Sequence, residues 1–157
     1  MKRRYAAVLA CALVAAAQAG ELQPFVSGSL QQIVAARHSQ PFILAFWSLD
    51  CSHCQDELAL FGKLARQTRL PLVLVSTDSP AQAPQLRAAL RRHGLQSMPA
   101  WVFADDNADR LRFEIDKHWY GELPRSYLYQ ADGRAEAVSG KLEPARLAAW
   151  LRQVRQP

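Results

Sequence analysis

An apolar run, Pro41-Phe42-Ile43-Leu44-Ala45-Phe46-Trp47, leads within four residues to Cys51-Ser52-His53-Cys54, and this pairing constrains the chain more than any other stretch. The run is almost continuously apolar, which suits a strand covered on both faces. Gln55 to Arg69 then places Leu58, Phe61, Leu64 and Ala65 at helical spacing. The two cysteines therefore fall at a strand-to-helix junction. The first sulfur lies over the helix N-terminus, where unpaired N–H groups and the helix dipole favour a thiolate. Such a dithiol suits thiol–disulfide exchange.

The N-terminus reads as an export signal. Lys2, Arg3 and Arg4 form a positive region, Tyr5 to Ala16 an alanine-rich apolar core, and Ala17-Gln18-Ala19 a small-x-small cleavage pattern. Cleavage after Ala19 is expected, leaving residues 20–157 as one exported domain. The core is shorter than the roughly 20 residues a membrane span requires. Val8-Leu9-Ala10-Cys11 only weakly matches a lipidation motif, and the residues flanking Arg3-Arg4 do not fit twin-arginine export. Without Lys2, Arg3 and Arg4, 16 basic residues face 14 acidic ones, so no nucleic-acid footprint remains. A domain of this size buries roughly two-thirds of its unfolded surface. It does not depend on a disulfide staple, and a CxxC loop is too short to act as one.

The order of elements follows from periodicity and punctuation. Ser29 is expected to cap a helix through Ala36. Phe42–Trp47 and Leu72–Ser76 read as central strands, separated by a helix from Ser52 to Arg69. A helix from Pro80 to His93 ends at Gly94, and Ala100–Phe103 forms a short strand. Asp109 to Trp119 reads as a further helix, although Phe113 and Ile115 also allow an extended form. Asp132-Gly133 between alternating runs marks a hairpin, and a terminal helix starts at Glu143 or Pro144. The result is an α/β domain with a central mixed sheet flanked by helices.

These features resemble the thioredoxin-like family, and more closely the TlpA/ResA-type periplasmic thiol–disulfide oxidoreductases. The resemblance is carried by Phe46-Trp47 before Cys51-Ser52-His53-Cys54, by Glu57 three residues after the second cysteine, and by Met98-Pro99-Ala100-Trp101-Val102-Phe103-Ala104-Asp105. Tyr120-Gly121-Glu122-Leu123-Pro124 and the Asp132-Gly133 turn complete it. It spans roughly Phe42 to Gln153 and implies a thioredoxin-like fold with an insertion before a cis-proline. Three positions depart from the pattern. Asp50 replaces an aromatic, Ala45 stands where cytoplasmic thioredoxins bury an Asp, and Ser-His separates the cysteines where a Pro often precedes the second.

Each candidate residue has a chemical role. Cys51, nearest the helix end and solvent, is the expected nucleophile, and Cys54, one turn inside, resolves the mixed disulfide. His53 stabilises a thiolate by hydrogen bond or charge, whereas the Asp50 carboxylate disfavours it. A His before the second cysteine also resembles the DsbA oxidases. By resemblance, Glu57 is a partly buried acid exchanging a proton with Cys54. By resemblance also, Pro124 is the cis-proline facing the dithiol, with Pro99 the competing candidate, and the backbone of Leu123 pairs with a substrate chain. Trp47 is expected beneath the site. His38, His93, His118, Trp101 and Trp119 read as surface or core residues.

The resemblance implies an enzyme with no cofactor beyond its own dithiol. It would be a monomer that exchanges disulfides with substrate proteins and is kept reduced by a membrane-embedded donor. Reduction of specific periplasmic disulfides, as in cytochrome c maturation, is the favoured direction; a more oxidising disulfide donor is the alternative. Two thiolates and a nearby His would also suit Cu(I) in a metallochaperone. Zinc lacks a second CxxC or HxxxH to complete four ligands.

Overall fold

In a computed structural model, which describes residues 20–155, the chain runs β1 (Leu22–Phe25), α1 (Ser29–Ala36), β2 (Phe42–Trp47), α2 (Ser52–Gln67) and β3 (Leu72–Ser76). A 3-10 turn (Pro80–Gln82) leads into α3 (Ala83–Arg92), β4 (Ala100–Phe103) and α4 (Ala108–Ile115). The hairpin β5 (Arg125–Tyr129) and β6 (Ala135–Ser139) precedes α5 (Pro144–Arg155). The expected export signal, with Cys11, lies outside the described residues. None of the described helices is long and apolar enough to cross a membrane.

The sheet has the order β1-β4-β3-β2-β5-β6, parallel from β1 to β2 and antiparallel through β5 and β6. All six side chains of β2 are buried, as its unbroken apolar run requires. Because successive strand residues face opposite ways, Ile43, Ala45 and Trp47 join one layer with Leu58, Phe61, Leu86 and Trp150 from α2, α3 and α5. Phe42, Leu44 and Phe46 join the other with Phe25, Ile33, Leu111 and Trp119. Each large apolar side chain buried in this way contributes about 1.5–3 kcal/mol. Together they fix where the end of β2, and hence Cys51, stands.

Several boundaries differ from the periodic reading for local reasons. The edge strand β1 escapes a pattern search because it is four residues long and contains Pro24. A residue lacking an N–H is tolerated there because β1 pairs only with β4. Gly28, not Ser29, occupies the N-cap of α1, and the Ser29 hydroxyl instead accepts the N–H of Val26 at 2.9 Å. The helix expected from Pro80 starts as a 3-10 turn capped by Ser79, because Pro84 has no N–H to donate back to Pro80. The helix α4 stops at Ile115, where Asp116 turns extended and its side chain accepts the N–H of His118 at 2.9 Å.

The end of α3 decides how closely it meets α2. Gly94, at φ +72°, closes α3 with the N–H of Leu95 on the carbonyl of Leu90 at 2.8 Å and its own N–H on Arg91 at 3.0 Å. That turn brings the carbonyl of His93 against Gly62 of α2. A Cβ at residue 62 would lie 1.9 Å from that oxygen. Alanine is the better helix former by about 1 kcal/mol, but the clash with backbone outweighs this. We therefore expect Gly62→Ala to destabilise the fold by about 1–3 kcal/mol, read as a lower midpoint in urea unfolding.

Candidate functional site

Cys51 is the N-cap of α2, with extended backbone at φ −93° and ψ 103°. Its Sγ accepts the N–H of Cys54 at 3.1 Å, taking the place of the oxygen of a Ser or Asp cap. The two cysteines form a disulfide with Cα atoms 5.2 Å apart. Cys54 is fully buried in the α2 layer, while Cys51 is partly accessible. On reduction the Cys54 N–H and the helix terminus would stabilise an anion on the outer sulfur.

The loop between β2 and Cys51 is held by residues the periodic reading did not single out. Asp78, just past β3, accepts the N–H of Leu49 at 3.0 Å and the hydroxyl of Ser76 at 2.7 Å. The Gln55 amide donates to the carbonyls of Ser48 and Leu49, both at 3.4 Å. Thr77 donates its N–H to the carbonyl of Trp47 at 3.0 Å. Trp47 itself is buried in the same apolar layer as Cys54.

Glu57 lies one turn beyond Cys54 and is 4% exposed. Its Oε1 accepts the N–H of Leu142 at 2.8 Å across 85 residues of sequence. The hydroxyl of Ser126 lies beside the carboxylate without completing a well-formed hydrogen bond. Burial raises the Glu57 pKa to about 7, against the lowering effect of Leu142 and Ser126. The acid therefore changes protonation near neutral pH, directly behind the inner cysteine.

The Leu123–Pro124 peptide bond is cis, and Pro124 is buried. Since Phe46 of β2 pairs with Arg125, Pro124 stands beside the end of β2 that leads to Cys51. The carbonyl of Pro124 accepts the N–H of Gly140 at 2.9 Å. Neither backbone polar group of Leu123 takes part in a hydrogen bond among the described residues. The segment just before Pro124 is pinned by Arg125, whose buried guanidinium donates to Asp116 at 2.6 Å, Glu122 at 3.1 Å, Tyr127 at 3.1 Å and the hydroxyl of Ser139. The His118 N–H and Arg125 hold Asp116 below the usual carboxylate range despite the opposing cost of burial. Burial pushes the Tyr127 phenol up to about 12. No local motif announces Arg125 as a hub, because beyond the nearby Glu122 and Tyr127 its partners Asp116 and Ser139 come from other segments.

The remaining candidates sit as follows. His53 is exposed, with Nδ1 3.9 Å from Asp56, which also meets Lys141 at 3.5 Å. Asp50 is exposed beside Cys51. Pro99 precedes β4 and gives its carbonyl to the N–H of Leu74. His93 meets Gln55 at 3.1 Å, Trp119 is buried, and Trp101 packs edge-on against Phe25. Among the described residues no three His, Cys, Asp or Glu side chains converge to hold a metal ion.

The raised Glu57 pKa makes stability depend on pH. Between about 4.5 and about 7 the folded protein binds more protons at this site than the unfolded chain. Stability from the protonated acid is thus complete below this window and is lost as pH rises through it. Glu57→Gln, whose amide oxygen can still accept the Leu142 N–H, removes that dependence. In the oxidised protein we expect Glu57→Gln to gain stability over the native chain as pH rises from 5 to 8, by up to about 3 kcal/mol, measured by denaturant titration.

No protein-family model and no curated protein matches the chain. Solved structures do. One is a secreted Mycobacterium tuberculosis disulfide oxidoreductase described as homologous to Escherichia coli DsbE, at 17% identity, with 76% of this chain and 85% of that one covered and a TM-score of 0.57. Another is M. tuberculosis DsbF in mixed oxidised and reduced forms, at 17% identity, 88% and 98% coverage and a TM-score of 0.58. A thioredoxin-family thiol:disulfide interchange protein from Chlorobium tepidum matches at 15% identity, 77% and 83% coverage, with a TM-score of 0.58. At these identities the likeness is one of architecture, and it assigns this chain the thioredoxin-like fold.

Proposed function

We propose that this protein is an exported, periplasmic thiol–disulfide oxidoreductase of the TlpA/ResA type that reduces specific protein disulfides, such as those met in cytochrome c maturation. The observation that carries the reading is a partly accessible Cys51 capping α2, a buried Cys54 in its first turn, and a buried Glu57 one turn beyond Cys54. The unpaired backbone of Leu123 lies at the same end of β2. Solved structures of the same fold described as a disulfide oxidoreductase and a thiol:disulfide interchange protein support it.

The Cys51 thiolate attacks one sulfur of a client disulfide, and the other leaves as a thiolate. The Cys54 thiol loses its proton to the Glu57 carboxylate and attacks Cys51, which releases the second client sulfur. Two electrons pass to the client, whose disulfide becomes two thiols, and the protein's dithiol becomes the Cys51–Cys54 disulfide. A membrane-embedded dithiol donor would restore the reduced form. Leu123 offers a free N–H and carbonyl to an extended client segment, strand to strand.

The Asp50 carboxylate favours the reducing direction. Asp50 adjoins Cys51, and Asp56 and Glu57 lie one turn further along α2, where Asp56 is met by Lys141 as well as by His53. Negative charge disfavours thiolates relative to the disulfide, which makes the pair a better electron donor.

Cys54→Ser should accumulate mixed disulfides with exported clients, resolved on non-reducing gels and released by dithiothreitol, while Cys51→Ser traps none. Redox titration of the native pair should fall nearer about −270 mV than about −120 mV. Absence of trapping by both variants, with no loss of disulfide reduction in either, would defeat the enzymatic reading.

A further inference from the structure

Exposed large apolar side chains that adjoin one another, unlike ones scattered singly, mark contact sites. Among the described residues only Val26, Phe113 and Tyr120 are exposed, and Tyr120 is 88% so. Two of these three line one cleft of about 220 Å³, together with Asp109, Arg112, Lys117 and Trp119. The cleft lies between α4 and the segment that runs into Leu123.

Tyr120 is displayed by a braced turn. The indole N–H of Trp119 donates to the carbonyl of Glu122 at 2.9 Å, and the Trp119 ring is buried 4.8 Å from that of Phe46. The N–H of Tyr120 reaches the Glu122 carboxylate at 3.2 Å, and Arg125 and Ser139 each hold the other oxygen at 3.1 Å. A tyrosine held open on a rigid backbone loses little freedom on binding, the condition under which aromatic residues become binding hot spots.

The polar lining is cationic and incompletely paired. Asp109 is already engaged by Arg112 at 2.7 Å, whereas Lys117 makes no ion pair among the described residues. The Nε of Arg112 is buried without an acceptor. A cleft with an aromatic wall and a free ammonium complements an apolar side chain next to a carboxylate.

We propose that the Tyr120–Phe113 cleft is the client-docking surface of this protein, seating an extended segment beside the client's cysteine that carries an apolar residue and an acidic one. It rests on the oxidoreductase reading above and names the class of substrate for it. The turn that displays Tyr120 ends three residues on at Leu123, so the cleft and the free backbone of Leu123 belong to one short segment.

The test uses three disulfides: a peptide disulfide flanked by Phe-Asp, the same peptide flanked by Phe-Lys, and neutral hydroxyethyl disulfide. The native protein should prefer the Phe-Asp peptide over Phe-Lys by about tenfold, chiefly through KM. Lys117→Glu should reverse that order. Tyr120→Ala should lower the ratio of kcat/KM for the Phe-Asp peptide to that for hydroxyethyl disulfide by about tenfold. An unchanged ratio in Tyr120→Ala, a loss shared equally with the small disulfide, or an unchanged acid preference in Lys117→Glu would each overturn the docking surface and leave the redox reading standing. Failure of the native protein to reduce any of the three would overturn both.

Discussion

Everything at the site depends on β2 being apolar on both faces. Phe42 to Trp47 is pressed between two helical layers and flanked by β3 and β5, so its C-terminal end has little freedom to move. The four-residue loop beyond it, tied by Asp78 and Gln55, delivers Cys51 to the first turn of α2. A dithiol on a mobile loop would share neither the helix terminus nor the buried acid. Here both are set by hydrophobic packing that has no chemistry of its own.

The connection between β6 and α5 joins parts of the site that are far apart in sequence. Within three residues, Gly140 gives its N–H to the carbonyl of Pro124, Lys141 meets Asp56, and Leu142 gives its N–H to Glu57. One short segment thereby touches the cis-proline, the surface charge of α2 and the buried Glu57 carboxyl. On the other face Arg125 performs a comparable service, bonding α4, the turn before Pro124 and both strands of the hairpin. Its burial beside two carboxylates gives the turn a geometry that a flexible loop would lack.

The placement of the buried acid bears on the departures from the thioredoxin pattern. Ala45 pairs in register with Ser126, so neither strand position supplies a carboxylate behind the dithiol. Glu57 supplies it from α2, and the cost of its desolvation is only partly offset by one backbone N–H. A group so balanced changes protonation near pH 7, which suits proton exchange with a thiol better than a fully solvated carboxylate would.

Much of this was legible in the chain itself. The alternation and length of apolar runs placed β2, β3, β4 and α2 within a residue or two, and Asp132-Gly133 announced the hairpin. The Cys51–Cys54 spacing pointed to a reactive pair, which the structure joins as a disulfide; local patterns record which faces must leave water and where a turn must fall. The same patterns were blind to β1, which is short and proline-bearing, and to the break between the Pro80 turn and α3. They also could not show that Arg125 would be buried, that Leu142 would hold Glu57, or that Tyr120 would stand in solvent while Trp119 packed inside. Those outcomes are settled by contacts between segments up to 85 residues apart, and burial of a charge or exposure of a ring depends on which distant partners arrive, not on the residue's neighbours along the chain.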